Sequence, residues 1–401
     1  MKNISIIIPS HSSQKYIIEL LLAIKKQTLQ PLEIIIIDSY ASVEFKQTIK
    51  KIGLGCKIEI INYNKVSYPP NKRNFGASIA RGEFLAFLDV KTIPEQDWLE
   101  TYYNYIKGNK FFAIFGSTKY HYQNTFQKFL IFASYGFINH ETLPGTIISK
   151  KNFEKIGKFF ENVRAGEDEE WRFRIKKNNY KTFCPTTYSL QYSHLPENLI
   201  ETSKKYFQYS LHASLVQVQQ NIKNLYLSIL LLFSALIIPK WNFMFTNWDQ
   251  SPLYIPHITK IYIISSLIIL LILLFFHFFL NFRIFISKSI LFIFFCYLTF
   301  FLVSVSIFYW NERVANWVES AVWYIPHITK IYLSIIVSLS IIIRGIFMPL
   351  KRKVPLKFLL MFKWIYVGLL GTVLDLIKAP GYIIGAIIYP IISLRNFVLK
   401  K

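Results

Sequence analysis

Cysteine is scarce in this chain. Three thiols, Cys56, Cys184 and Cys296, are scattered through 401 residues. They have neither the spacing of a metal site nor the number a disulfide framework needs, so ordinary buried thiols are expected. Acidic residues are few as well: 23 Asp and Glu against 46 Lys and Arg leave a formal net charge of +23 at pH 7. A surplus of that size suits either nucleic acid or an anionic membrane surface. Its distribution decides between them, because the apolar residues are concentrated in the second half and basic residues flank the apolar spans. Membrane lipids are therefore the expected partner, and nucleic acid is not. A secretory leader is not expected either. The chain enters the strand pattern Ile4-Ser5-Ile6-Ile7-Ile8-Pro9 at once, and that run is too short for an export signal. The first half is accordingly expected in the cytoplasm.

What is present is an alternation of strand and helix patterns over the first hundred residues. Ile4–Ile8, Glu33–Ile37, Lys57–Ile61 and Phe84–Leu88 read as buried strands. Gln14–Lys26 has helical spacing through Tyr16, Ile17, Leu20, Leu21 and Ile24. Strands separated by helix-length segments predict a parallel sheet with helical crossovers. The chain is organised around residues 67–100. Lys72-Arg73-Asn74-Phe75-Gly76 opens a small-residue helix through Ala80, Gly82 ends it, and the strand at Phe84–Leu88 delivers Asp89 at its carboxyl end, where open α/β sheets bind ligands. A turn with Lys91 and Pro94 follows, then Trp98-Leu99. Further on, Pro144-Gly145-Thr146 leads a short strand, a helical stretch runs to Gly157, and Gly166-Glu167-Asp168 precedes Trp171, Arg174, Tyr180, Pro185 and His194.

These residues, in this order, resemble the centre of membrane-bound nucleotide-sugar glycosyltransferases of family 2. The resemblance covers roughly residues 3 to 215 and implies a GT-A (Rossmann-like) α/β domain binding a nucleotide-sugar donor. It implies nucleotide-sugar contacts at Pro9, Asp38, Arg73, Asn74, Gly76, Asp89, Lys91 and Arg174. Taken alone, Asp38 just past its strand is equally a helix cap or an Asx turn, and a Glu-Asp pair opening a helix equally satisfies the helix amino-terminus. Inverting sugar transfer requires a carboxylate to take the acceptor hydroxyl's proton. Asp168 is the candidate base, and Glu167 orients it or binds acceptor. The family's Asp-x-Asp metal pair is broken here, since its second aspartate is Lys91. Either Mg2+ or Mn2+ binds through Asp89 and His194, or Lys91 supplies positive charge directly, with Arg73 and Lys72 adding to it. For His194 a packed or capping role stands beside the metal role. Residues 40–44 depart from the family pattern for ribose contacts. The Gln-x-x-Arg-Trp motif of processive synthases is absent after His194, which disfavours polymerisation. Lys205 or Tyr206 is then a candidate contact for the diphosphate or acceptor.

Beyond residue 215 the pattern changes. Of four strongly apolar segments, 261–280, 289–310 and 331–350 approach the ~20 residues a membrane span needs, while 225–239 is shorter and continues into the aromatic stretch 241–248. They contain an internal repeat. Trp241-Asn242 with Asn247-Trp248 recurs as Trp310-Asn311 with Asn316-Trp317, and the sequence from Tyr254 to Tyr262 recurs identically from Tyr324 to Tyr332. Two tandem helical hairpins, about 225–280 and 289–350, are predicted. The basic residues Arg283, Lys288, Lys351, Arg352, Lys353 and Lys357 place their side in the cytoplasm, and His257 and His327 then face outward as interface anchors. The domain plan is a catalytic domain at 1–215, an all-α membrane region of about four spans at 216–350, and a basic linker with an interfacial amphipathic tail at 351–401, or a fifth span. The chain is expected to be a multi-pass protein of the cell membrane with a cytoplasmic catalytic domain.

The acceptor expected is the hydroxyl of a lipid-linked glycan or glycolipid, in surface polysaccharide synthesis. Three alternatives remain open at the level of sequence: a polyprenyl-phosphate sugar synthase, a degenerate scaffold (favoured by Lys91), and a transport component. The scarcity of ionisable groups inside the spans argues against transport.

Overall fold

The computed structural model describes residues 3–11, 13–63, 67–108, 110–216 and 328–398, with isolated positions between 218 and 268. It divides into two compact units, one made of residues 1–218 with 341–378 and the other of 219–340 with 379–401. The apolar segments 225–239, 261–280 and 289–310, and most of the repeat, lie outside the described residues.

The first unit is built on a sheet of nine strands among the described residues, ordered β3-β2-β1-β4-β7-β6-β9-β5, with β8 paired to β6. Strands β1 (Ile4–Pro9), β2 (Glu33–Asp38), β3 (Lys57–Asn62) and β4 (Phe84–Phe87) are parallel neighbours, as the alternation predicts. β1 and β2 are buried along their whole length. Unbroken Ile-rich runs are what a strand covered on both faces requires. Side chains alternate between two cores. Ile4, Ile6 and Ile8 join Ile17, Leu20, Leu21 and Ile24 of helix α1 (Gln14–Lys25). Ile7, Ile35 and Ile37 join Ala77 of α3 (Pro69–Ile79) on the other face. Helices α2 (Val43–Lys51) and α4 (Trp98–Ile106) bury Phe45, Ile49, Trp98, Leu99 and Tyr102 in the first core.

The other half of the sheet is not parallel. β6 (Ala113–Tyr120) and β7 (His140–Ser149) pair antiparallel, and β7 meets β4 antiparallel. Short strands β5 (Thr92–Pro94), β8 (Thr182–Phe183) and β9 (Leu190–Tyr192) complete it. The β7 strand extends well upstream of the short strand expected after Pro144. Gly116 permits this crossing, since a Cβ there would lie 1.8 Å from the Pro144 carbonyl oxygen. Helices α5 (Thr125–Leu130), α6 (Lys150–Ile156), α7 (Glu167–Lys177) and α8 (Leu199–Ala213) pack around this half.

The boundary expected at residue 350 falls elsewhere. Helix α9 (Ile328–Ile342) passes through a π-helical turn, Ile343–Phe347, into α10 (Met348–Lys351). Residues 341–378 pack into the first unit. Val354, Leu359 and Val367 share a buried cluster with Ile131, Phe132 and Leu195. Leu370 and Leu374 of α11 (Lys363–Val398) share another with Leu130 and Tyr206. Arg352 Nη1 donates to the Ala133 carbonyl at 2.6 Å, and Phe137 N donates to the Arg352 carbonyl at 2.9 Å. Among the described residues, Lys363–Gly385 within α11 is long and apolar enough to cross a membrane.

Candidate active site

The carboxyl ends of β1, β2 and β4 bring Pro9, Asp38 and Asp89 to one edge of the sheet, and α3 crosses beneath them. Pro69 and Pro70 open this helix, where a missing amide costs nothing. Gly76 lets it lie close to β1, because a Cβ there would come within 2.6 Å of Ile7 Cγ2. The glycine therefore has a packing role between α3 and β1. Close packing aims Lys72 and Arg73 at the strand ends.

Arg73 is the centre of the site. Its side chain, 5% exposed, donates through Nη2 to Asp89 Oδ1 at 2.6 Å and through Nη1 to Glu167 Oε1 at 2.7 Å. Burial disfavours the guanidinium charge, but the two carboxylates outweigh it and hold Arg73 firmly protonated. Glu167 is 6% exposed. Burial pushes its carboxyl up to about 7, against the pull of Arg73 and with Asp168 adding to the rise. One oxygen of Glu167 and Nε of Arg73 are buried without a hydrogen-bond partner among the described residues. Gly166 caps α7 in the left-handed region at φ 89°, which turns the next two side chains apart. Glu167 enters the interior. Asp168, with its side chain 35% exposed, stays at the surface 3.5 Å from Arg172 Nη2.

Several expected nucleotide contacts have other tasks. Asn74 Nδ2 donates to the Phe159 carbonyl and to Glu161 Oε1, and its Oδ1 accepts from Phe159 N. All its polar atoms therefore hold the loop that leads to Gly166. Arg174 donates to the Ile156 and Lys158 carbonyls at 2.7 Å and pairs with Glu170, so it pins the same loop. Asp38 is 1% exposed and accepts from Tyr40 N at 2.6 Å in an Asx turn. Its Oδ2 is buried and unpartnered among the described residues, so one oxygen is still open to a ligand. Lys72 donates to the Ser10 carbonyl and to Ser39 Oγ, tying the ends of β1 and β2 together.

The residues present do not form a metal-holding set. Asp89 is committed to Arg73. His194 Nε2 lies 3.1 Å from Glu19 Oε2, with its ring 4.4 Å from that of Tyr16. Among the described residues no three His, Cys, Asp or Glu side chains converge as ligands would. Lys91 stands where a second carboxylate would be needed, its Nζ 4.7 Å from the centre of the Tyr16 ring. In place of the expected Asp89–His194 metal pair, Asp89 pairs with Arg73 and His194 meets Glu19 at hydrogen-bond distance.

Two cations join the site from outside the expected residues or at their margin. Lys205 on α8 donates to Tyr192 Oη at 3.4 Å and lies over the rings of Tyr192 and Tyr209. Burial pulls its ammonium down to about 8, helped by Lys91 and Arg164 and opposed by Asp89. Arg164 escapes sequence reading altogether; a basic residue in the loop just before Gly166-Glu167-Asp168 is the only cue. Tyr206, the alternative to Lys205, is instead buried and donates to Tyr135 Oη at 3.1 Å.

Comparison with known proteins supplies the class. Residues 5–165 match the family model described as Glycosyl transferase family 2. The matched residues hold the four parallel strands and the antiparallel pair that carry the site, so this part of the chain is similar to that family on an α/β sheet. An uncharacterized glycosyltransferase of Rickettsia conorii is 27% identical over 175 residues, covering 41% of this chain and 28% of the relative. Glycosyltransferase GlyG of Streptococcus pneumoniae serotype 4 is 25% identical over 105 residues, covering 26% of this chain and 35% of the relative. The chain thus spans only about a third of the curated relatives it matches. Among solved structures, S. aureus TarS 1–349 in complex with UDP-GlcNAc aligns with TM-score 0.39 and 19% identity over 56% of this chain and 70% of that one. Mannosyltransferase PcManGT from Pyrobaculum calidifontis, in complex with GDP-Man and Mn2+, aligns with TM-score 0.40 and 14% identity over 53% of this chain and 62% of that one.

Proposed function

We propose that this chain transfers a sugar, with inversion, from a nucleotide-sugar to a hydroxyl of an acceptor held at a membrane, either a lipid-linked glycan or a glycolipid. The observation that carries this reading is the split of the adjacent acids. Glu167 is buried on Arg73, whereas Asp168 keeps a carboxylate that is 35% exposed, 3.5 Å from Arg172 Nη2. In the reaction, the acceptor oxygen bonds to the anomeric carbon as Asp168 takes its proton. The bond from that carbon to the diphosphate oxygen breaks, and its electron pair leaves with the nucleoside diphosphate. Glu167 holds Arg73, and Arg73 holds Asp89. A phosphate acceptor, already ionised near neutral pH, has little need of such a base, which favours a hydroxyl. A buried Arg73 that joins Asp89 to Glu167 also speaks against a degenerate scaffold.

The C-terminal segment supports a bilayer-held acceptor. Between α10 and α11 the chain exposes Leu356, Leu360, Met361 and Phe362, the last two at 86% and 78%. Lys351, Lys353, Lys357 and Lys363 flank them, a pattern suited to an anionic interface. The domain would then act on the cytoplasmic face of the cell membrane, with the apolar segments 225–350 as its anchor. Membranes containing the chain, incubated with labelled sugar nucleotides, should yield lipid products in which the sugar extends a pre-existing glycan. A single sugar on a polyprenyl monophosphate as the only lipid product would reject the hydroxyl acceptor.

A further inference from the structure

Lys91, Lys205 and Arg164 are charged groups in the site that none of the steps above uses. Their placement follows from three separate elements. Lys91 stands in the turn after β4. Lys205 and Tyr209 share one face of α8 at i, i+4 spacing. The loop carrying Arg164 is seated on the carboxyl-terminal turn of α8: Gly166 approaches so closely that a Cβ would fall 2.9 Å from Ala213 Cα, and Val163 packs against Val216. Lys91 and Lys205 both line a cavity of about 360 Å³ with Tyr16, His194, Glu197 and Glu201.

None of the three cations makes an ion pair within 4 Å among the described residues, in contrast to Arg73, Arg81, Arg172 and Arg174. Arg164 acts electrostatically on both Lys72 and Lys205, disfavouring the proton on each, and Lys91 does the same to Lys205. Arg164 thus lies within electrostatic reach of both Lys72 and Lys205, and Lys205 within reach of both Lys91 and Asp89. Facing them are Asp38 near Lys72, Asp89 near Lys205, and Glu197 and Glu201 near Lys91, with His194 and the phenols of Tyr192 and Tyr209 completing the wall. Cations without an ion-pair partner among the described residues, gathered within reach of Asp38 and Asp89, suit the diphosphate of a nucleotide-sugar donor.

We infer that Arg164, Lys205 and Lys91 form the diphosphate site of the donor, so that fixed protein cations take the place of a carboxylate-held divalent ion. This rests on reading the site as one for a nucleotide-sugar. Fixed donors in a partly desolvated site neutralise a growing negative charge without reorganisation, which is what the leaving group requires. Arg164 offers a planar fork suited to two phosphate oxygens, whereas the lysines act as point charges.

The test is direct binding of UDP, GDP, CDP and dTDP, and of the monophosphate of whichever binds, to the purified full-length chain in detergent. Each is titrated in excess EDTA and again in Mg2+ or Mn2+. One nucleoside diphosphate is expected to bind in EDTA within about threefold of its affinity in metal. Lys205→Gln and Arg164→Gln should each weaken it about tenfold while changing monophosphate affinity by less than about threefold, which shows that the variants are folded. Lys205→Arg should restore most of the loss. Binding that appears only with metal, or that Lys205→Gln and Arg164→Gln leave unchanged, would overturn this inference and leave the transferase reading standing. Failure of every nucleoside diphosphate to bind under either condition would instead sink the transferase reading itself.

Discussion

Two arginines at opposite ends of the same helix show how similar chemistry can serve different ends. Arg81, just past α3, lies at the amino ends of β1 and β2. There its backbone N donates to Glu33 Oε1 at 2.7 Å, its guanidinium pairs with Oε2, and Ser5 Oγ donates to Oε1 at 2.8 Å. Burial would raise the Glu33 carboxyl, but these bonds outweigh it and hold it below its usual value. Arg73, two turns earlier, sits at the carboxyl ends and bridges Asp89 and Glu167, and there buried atoms remain unpartnered among the described residues. At the amino end the carboxylate is saturated and the cluster is closed. At the carboxyl end saturation is incomplete and one of the acids is half open to solvent. A complete hydrogen-bond shell marks a structural cluster, and an incomplete one marks a place for a ligand.

Four changes test that contrast, from the largest expected effect downward. Asp168→Asn should lower the transfer rate by ~10²–10⁴, the range a general base supplies, with nucleoside diphosphate affinity close to the parent's. Transfer at the parent rate would remove Asp168 from the mechanism. Arg73→Met should cost about 3–5 kcal/mol of stability, because it leaves Glu167 buried without its counter-charge; thermal unfolding of the purified chain reads this out.

Glu167→Gln concerns pH. The folded-state carboxyl stands near 7 against an ordinary 4.5, so its raised value favours the protonated folded form. That contribution is fully present below about 4.5 and is lost as pH rises through 7. The parent should therefore lose stability relative to Glu167→Gln between pH 5 and 7.5, and parallel melting-temperature profiles would contradict the assignment. The smallest effect belongs to Arg81→Ala. The Arg81 side chain is 56% exposed and its backbone N–H remains to cap Glu33, so a cost under about 1 kcal/mol is expected, with transfer unchanged per folded molecule. A loss as large as that of Arg73→Met would erase the distinction between the two ends.

β1, β2 and β4 are dense apolar runs, broken inside β1 only by Ser5, as a sheet covered on both faces asks. β3 is legible as well, although only partly buried, through the β-branched Ile58, Ile60 and Ile61. β5 and β9 were not legible, because three residues carry no periodicity. Thr92–Pro94 becomes a strand only by pairing with Leu190–Tyr192. The same limit applies to the site. Asp89 at a strand end and Gly166-Glu167-Asp168 at a helix start are local signals that a sequence displays openly. Asn74, Gly76 and Arg174 are equally plain in the sequence, but packing assigns them to holding a loop or seating a helix.

The sequence by itself determined the alternating first hundred residues, the likeness to family 2, the position of the acid pair and the lysine at position 91, because each is written in neighbouring residues. Tertiary structure alone decided that Glu167 turns inward and Asp168 outward, since the two differ by one position and only the cap at Gly166 and the distant Arg73 tell them apart. It also decided that Arg73 joins Asp89, 16 positions away, to Glu167, 94 positions away, and that residues 341–378 pack into the first unit. Such contacts depend on which surfaces the folded chain brings together, and no local pattern of residue types encodes that.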